Sequence, residues 1–586
     1  MKFKYTLIIS LALTSIHYLL SPSRFFWQPF GGLIINFIFL YGILFFQRFK
    51  YIRHISTTLF ILTFIQLVYF FHYRSFIPLT AYEFILREPR MLQEVLIMAK
   101  AEYFILPVII VFYIVSKGLK KLSAEKSRED KKPIIASLFL LGLLALLSFY
   151  SKQLDQNHVL PFSANYIAQT ISQPLFPYEK KSIAQKDLKT AKGKVVAKKS
   201  NYNVIILLSD ALRMDALSVA KENKTVVDKS LQSFYEGSLV FNFTVSPSNM
   251  TDSSMPSLVT SKSPFRKVND FQSAYRMWDY FSSFNTFYLS TADVQFSSLD
   301  QSIQSQNLKF LDDLENINKS LPLLDILSNG DQLFLDSIIS KLSPPFFGIW
   351  HMDGTHSYLY PPNNTLPKEL KDFPDNKKRK YLHSVNEMSK TVKKIIDSVD
   401  LEKTIVVLTS DHGEGFGEHG AHFHYKDFHQ ESIRVPMIIH LPKSLKMSLS
   451  AERLNCLQSN TEKITSTLDL FPTLLSLNNI STSKKMDGVD LTKCIDKKRI
   501  VSSTNCLREY QCFNQDFMLA SDDYYAIFSK KDGLIGIYDT WLDILQEKSL
   551  QNFDDQKLKA FKRSAIEFLN DKKRDDLIQV VDQQLP

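Results

Sequence analysis

Four short stretches carry residue types that could share one metal ion: Ile205-Ile206-Leu207-Leu208-Ser209-Asp210, Met250-Thr251-Asp252-Ser253-Ser254-Met255-Pro256, His351-Met352-Asp353-Gly354-Thr355-His356 and Thr409-Ser410-Asp411-His412-Gly413-Glu414. A divalent cation held by two carboxylates and an imidazole stays positive enough to polarise an ester oxygen and to acidify a nearby hydroxyl. Asp210, Asp411, His412 and the Thr251 oxygen would hold one or two such ions, with zinc, manganese and magnesium all open. Thr251 would then be the nucleophile of a phosphoryl or sulfuryl transfer, and a covalent step would divide one hard displacement into two easier ones. Taken singly, each residue has a plainer reading. Asp210 could be a strand-end carboxylate, and Thr251 a helix N-cap. Four segments in order, with Asp411 and His412 adjacent after a strand, favour the metal reading.

Those side chains need elements to bring them together. Asp210 and Asp411 each follow an apolar, β-branched run that reads as a buried strand. Both carboxylates should emerge at strand ends, where open α/β sheets place their ligands. Pro256 and Leu258 follow Thr251 in a stretch compatible with a helix, whose N-terminal amides would favour the anionic group of a phosphate or sulfate ester. Thr404 to Thr409 and Val435 to Leu441 read as further buried strands, and the apolar spacing of Lys377 to Val399 predicts a helix on one sheet face. The charged tail from Gln551 is expected to be partly helical and to end exposed.

The order of these motifs resembles the sulfatase branch of the alkaline phosphatase superfamily. Gly417-Glu418-His419-Gly420, Ser432-Ile433-Arg434-Val435-Pro436, Asp469-Leu470-Phe471-Pro472-Thr473 and Asp487-Gly488-Val489-Asp490-Leu491 are similar to later motifs of that family, so that the resemblance runs from about residue 200 to about residue 545. One departure narrows it. Common sulfatases carry Cys or Ser in a Cys-x-Pro-x-Arg motif that is converted to formylglycine, whereas the equivalent stretch here, Thr251-Asp252-Ser253-Ser254-Met255-Pro256, has no Cys, and Leu258 stands where the Arg should be. A Thr in this place instead resembles the membrane-anchored branch: inner-membrane phosphoethanolamine transferases, lipoteichoic acid synthases and YejM-type sulfatase-like proteins. The resemblance implies an α/β sulfatase-like domain with a mostly parallel central sheet. It also implies that His356 touches the transferring group, where it could protonate the leaving alkoxide or stabilise charge, and that His424 is a further substrate or metal contact. His419, His422 and His429 read as loop histidines.

The first part of the chain fits a membrane setting. Apolar runs near Tyr5–Leu20, Phe30–Phe46, Ile55–Phe71, Tyr103–Val115 and Pro133–Tyr150 approach the length needed to cross a bilayer, which predicts a five-helix transmembrane domain over residues 1–150. The Lys-rich loop from Lys117 to Lys132 falls on the same side as Lys2, Lys4, Arg48, Lys50 and Arg53. That distribution puts the N-terminus in the cytoplasm and, after five crossings, the large domain outside. The expected location is the bacterial inner membrane with a periplasmic C-terminal domain. A cleaved signal peptide is the alternative for the first segment, but removing one crossing disturbs the parity of the charged loops.

Residues 151–200 form a basic juxtamembrane linker, which is either solvated or a grip for anionic headgroups such as cardiolipin or the phosphates of lipid A. Residues 201–586 would be the extracytoplasmic α/β domain. The net charge of +10 lies largely in the cytoplasmic loops and this linker, so it does not point to nucleic acid. Cys456, Cys494, Cys506 and Cys512 all fall in the outer domain, an even count that allows up to two disulfides with the pairing open. The expected function is a membrane-anchored, metal-dependent phosphotransferase or hydrolase acting on phospho- or sulfo-esters of envelope lipids, with phospholipid or lipopolysaccharide as partner. The alternative is a lipid-sensing regulator of outer-membrane homeostasis with weak or silent catalysis.

Overall fold

The computed structural model describes residues 184–185, 195–197 and 202–585, apart from 293, 295–298, 315–322, 357, 359–364, 421–422, 425–426, 506, 508–515 and 531. The five expected membrane helices and most of the basic linker lie outside the described residues. Among the described residues, no helix is long and apolar enough to cross a membrane.

Sixteen strands are described. They are β1 (Val195–Ala197), β2 (Asn203–Ser209), β3 (Ser238–Val240), β4 (Phe243–Val245), β5 (Asn285–Ser290), β6 (Phe310–Asp313), β7 (Phe346–Met352) and β8 (Thr404–Thr409). Then come β9 (Arg434–Val435), β10 (Met437–His440), β11 (Ile464–Ser466), β12 (Ile480–Thr482), β13 (Val501–Thr504), β14 (Asp516–Ala520), β15 (Tyr524–Ser529) and β16 (Gly533–Asp539). The main sheet has the order β3-β10-β8-β2-β7-β5-β6. β2 pairs parallel with both β7 and β8, and β5 pairs parallel with β7 and β6, while β10 runs antiparallel to β8 and β3. The sheet is therefore mostly parallel, as the continuous apolar runs predict.

Every residue of β2, β7 and β8 is buried, because helices cover both faces. Helix α1 (Thr251–Thr260) packs Met255, Leu258 and Val259 into one core with Val204, Ile206 and Ile349. On the other face, α2 (Leu323–Lys341) and α3 (Asn376–Ser398) pack with Ile205, Leu207 and Trp350. In α3 the residues Tyr381, Val385, Met388, Val392 and Ile395 recur at helical spacing and bury together, which is why the helix predicted over Lys377–Val399 lies flat on the sheet.

A second sheet, β13-β14-β15-β16, is antiparallel throughout and was not foreseen. It carries α4 (Asp555–Asp571) and α5 (Asp575–Gln584). The tail does not end exposed as expected: Leu558, Phe561, Leu569, Leu577, Val581 and Leu585 are buried with Phe517, Phe528 and Ile537. Charged residues on the outer faces of two amphipathic helices hid an apolar seam that needs this sheet as its partner. Cys456 pairs with Cys494, while Cys506 and Cys512 lie outside the described residues.

Candidate metal centre and its surroundings

The C-terminal ends of β2, β7 and β8 lie side by side, with Leu208 in register with both His351 and Thr409. The chain leaves β2 at Asp210, whose backbone N–H donates to Met352 O at 2.9 Å, and turns sharply through Ala211 at φ 59°. An alanine in the left-handed region is strained, and here the neighbouring segments hold it. Ala211 N–H donates to Asp411 Oδ1, and Leu212 N–H to Ser410 Oγ at 2.9 Å.

Asp210, Asp411 and His412 each present a ligand atom within 4.8 Å of the others. Thr251, the first residue of α1, places its Oγ1 3.1 Å from His412 Nε2 and 3.5 Å from Asp210 Oδ2. The sequence-predicted set Asp210, Thr251, Asp411 and His412 is thus brought to one point. His412 Nδ1 lies 2.9 Å from Gly413 O and must donate to it, since a carbonyl only accepts. That fixes the tautomer and leaves the Nε2 lone pair facing the cluster.

The residues present fit a divalent ion. Asp210 Oδ1 and Asp411 Oδ2 are buried without a hydrogen-bond partner, and both lie about 3.5 Å from His412 Nε2. Two orphaned carboxylate oxygens beside an imidazole lone pair would be costly to bury unless a cation satisfied them. Burial works to raise the Asp210 pKa, but His356, His351 and His412 outweigh it and hold the carboxyl well below the usual carboxylate range.

The histidines around this point differ in state. His356 stands on the turn after β7, 3.5 Å from Asp353, with its side chain 41 % exposed. What burial takes from its positive form, Asp210, Asp353 and Glu414 more than return, so its pKa rises. His424 is lowered by burial and by His412, so it is the neutral neighbour. Its ring stacks on His412 at 4.1 Å and lies 5.5 Å from His356, and its Nδ1 is 3.4 Å from Glu414 Oε2. His422 lies outside the described residues.

Sequence reasoning passed over His351. It is buried within β7 and bridges Tyr288 OH, 2.8 Å from Nδ1, to Asp210 Oδ2, 3.0 Å from Nε2. The Asp210 carboxylate only accepts, so His351 Nε2–H donates to it, and a neutral ring then takes the Tyr288 hydroxyl proton at Nδ1. The available signal was a single imidazole in an otherwise apolar strand. Arg213 was also passed over: its guanidinium joins Asp215, Glu418 and Glu414 O, tying the turn after β2 to the segment after His412. From the Phe310–Asp336 stretch, Asp331 accepts from Thr291 Oγ1 and from the backbone N–H groups of Asp353 and Gly354, clamping the turn that carries His356.

Residues 202–480 match the sulfatase family, and residues 417–565 match the family described as N-sulphoglucosamine sulphohydrolase, C-terminal. An N-acetylglucosamine-6-O-sulfatase from Bacteroides thetaiotaomicron is 27% identical over 124 residues, which is 20% of this chain and 20% of that protein. The chain thus aligns with only a fifth of that relative's length. Among solved structures, a 2-O GAG sulfatase is similar at 16% identity and a TM-score of 0.48, covering 64% of this chain and 93% of that one. The C-terminal periplasmic domain of the phosphoethanolamine transferase EptC from Campylobacter jejuni is similar at 17% identity and a TM-score of 0.37, covering 51% of this chain and 95% of that one.

Proposed function

We propose, from the premise that residues 202–480 form a sulfatase-family domain, that the protein is a membrane-anchored phosphotransferase or hydrolase acting on phosphate esters of envelope lipids, with Thr251 as its nucleophile. One observation carries the reading. Two buried carboxylate oxygens without partners, an imidazole lone pair and the Thr251 hydroxyl converge at the C-terminal edge of parallel strands. Asp210, Asp411, His412 and the Thr251 oxygen would hold a divalent ion, which would supply positive charge against an anionic ester and acidify the hydroxyl beside it.

The chain's own residues perform the remaining steps. Thr251 opens α1, so the helix dipole favours an anionic group poised over its hydroxyl. His351 and the backbone of Ala211 hold the two carboxylates in place. His356, its pKa raised by neighbouring carboxylates and its side chain partly exposed beside the site, is placed to protonate the leaving alkoxide. His424, neutral and stacked on His412, offers a contact to the bound ester.

Phosphate is favoured over sulfate by the residues at the nucleophile. The cation of the formylglycine motif is missing, because Leu258 is buried in the apolar core, 2% exposed, and its position offers the site no charge. A lipid substrate follows from the apolar runs before residue 150, which would hold the site near a bilayer and place it in the periplasm. Thr251→Ala tests the assignment. It should abolish turnover of phospholipid or glycolipid phosphate esters in membranes while leaving the unfolding midpoint within a few degrees of wild type. Full activity in the variant would remove Thr251 from the chemistry. An inactive variant that still complements a deletion strain would favour the lipid-sensing regulator.

A further inference from the structure

A second group of metal-ligating side chains stands apart from the one just described. His419, Asp427, His429 and Glu431 also bring one ligand atom each within 4.8 Å of the others. His419 Nδ1 is 2.6 Å from Glu431 Oε1, and His429 Nδ1 is 2.5 Å from Asp427 Oδ1. The two imidazoles lie face to face, 3.8 Å apart and within 4° of parallel. The second oxygens, Asp427 Oδ2 and Glu431 Oε2, are buried without a partner on residues only 7% and 1% exposed. We propose that these four residues form a second divalent-cation site, of a class suited to zinc, that braces the catalytic edge of the main sheet against the C-terminal sheet.

The outer nitrogens support the assignment. His419 Nε2 lies 3.0 Å from the carbonyl of Gln546 and must donate to it, which leaves the Nδ1 lone pair facing the carboxylates. His429 Nε2 lies 3.1 Å from the Tyr538 hydroxyl, an oxygen able to accept its proton and leave Nδ1 free in the same way. Metal-bound imidazoles are held through their other nitrogen in this manner. The alternative is two imidazolium–carboxylate pairs. It would stack two cations at 3.8 Å in a largely buried setting, which like-charge repulsion opposes. One divalent ion would balance both carboxylates with both rings neutral once one ring turns out of the stack to bring the two Nδ1 lone pairs together, and two imidazoles with two carboxylates suit a borderline metal such as zinc.

The site would reach the first one through backbone. Glu431 O accepts from Glu414 N, and Ser432 O from Gly413 N, both at 2.8 Å, so the short helical turn bearing Glu431 holds the turn that follows His412. Asn249 Nδ2, two residues before Thr251, donates to Asp427 O at 2.8 Å. Gln430 N–H donates to Gln546 Oε1 on the far side. An ion here would fix the approaches to Thr251 and His412 without touching substrate.

Removing the first site isolates the second. Full-length Asp411→Ala, purified in detergent, saturated with Zn2+ and desalted, should keep about one zinc per chain by elemental mass spectrometry, against about two in wild type. The double variants Asp411→Ala/His429→Gln and Asp411→Ala/Asp427→Asn should keep none. Co2+ added to Asp411→Ala should give visible d–d absorption that both double variants lack. A chelator should lower the unfolding midpoint of Asp411→Ala and leave the double variants unmoved. If Asp411→Ala binds no zinc, or if the double variants bind as much as Asp411→Ala, the second site is refuted. Asp427→Asn changes no volume, so its result stands even if the histidine variant fails to fold.

Discussion

Gly413→Ala is a one-methyl change whose effect can be worked from the backbone. A Cβ at this position would lie 2.1 Å from Glu431 O, 3.0 Å from Glu431 C and 3.2 Å from Ser432 C. All three are main-chain atoms, so no side chain can swing aside. Ordinary contact with the carbonyl oxygen requires the two segments to part by roughly 1 Å. That movement strains Gly413 N–H to Ser432 O and Glu414 N–H to Glu431 O, both 2.8 Å long. Two buried hydrogen bonds at about 1 kcal/mol each, plus about 1–3 kcal/mol of overpacking, give a loss of about 3–5 kcal/mol. Catalysis should suffer more than stability alone implies, because Gly413 O holds His412 Nδ1. A 1 Å misplacement of a positioned group can lower rate about 100-fold. Denaturant unfolding of the purified protein measures the first effect, and turnover at temperatures where the variant is fully folded measures the second. A variant within 1 kcal/mol of wild type that also keeps its activity would refute the packing between the His412 turn and Glu431.

Three further outcomes are expected. Asp210, Asp353 and Glu414 raise the His356 pKa; kcat should fall as pH rises through its titration, and His356→Gln should lower kcat and flatten that alkaline limb. Asp331 is pushed up to about 6 by burial, above its unfolded value of 3.8. Its contribution to stability is therefore complete below about pH 4 and lost as pH rises through about 6, a swing of about 3 kcal/mol that Asp331→Asn should remove from the pH profile of unfolding. The Cys456–Cys494 disulfide closes a loop of 38 residues, so Cys456→Ser/Cys494→Ser should lose about 4 kcal/mol of stability by equilibrium unfolding.

The fold and the chemistry were unequally legible in the chain. Short-range patterns carry their own meaning, because a strand buried on both faces must be apolar throughout and an amphipathic helix must repeat near 3.6 residues. The run before Asp210, the run before Asp411 and the helix over Lys377–Val399 were accordingly readable. So was the group Asp210, Thr251, Asp411 and His412, whose residue types are those a hard-to-borderline ion requires.

What depends on contacts between distant segments could be decided only by the tertiary structure. His351 looks like one residue of β7 until parallel pairing sets that strand beside β2 and aims its Nε2 at Asp210. The charged tail looks exposed until the β13–β16 sheet supplies the apolar surface that its helices bury. His419, Asp427, His429 and Glu431 resemble loop residues of no fixed purpose. Their convergence depends on Gln546 and Tyr538, more than 100 positions further on, which hold the outer faces of both imidazoles. Sequence determined which side chains could bind and react. Packing decided which of them share a point in space, because hydrogen bonds and charges act over a few ångströms while the residues that make them are set hundreds of positions apart.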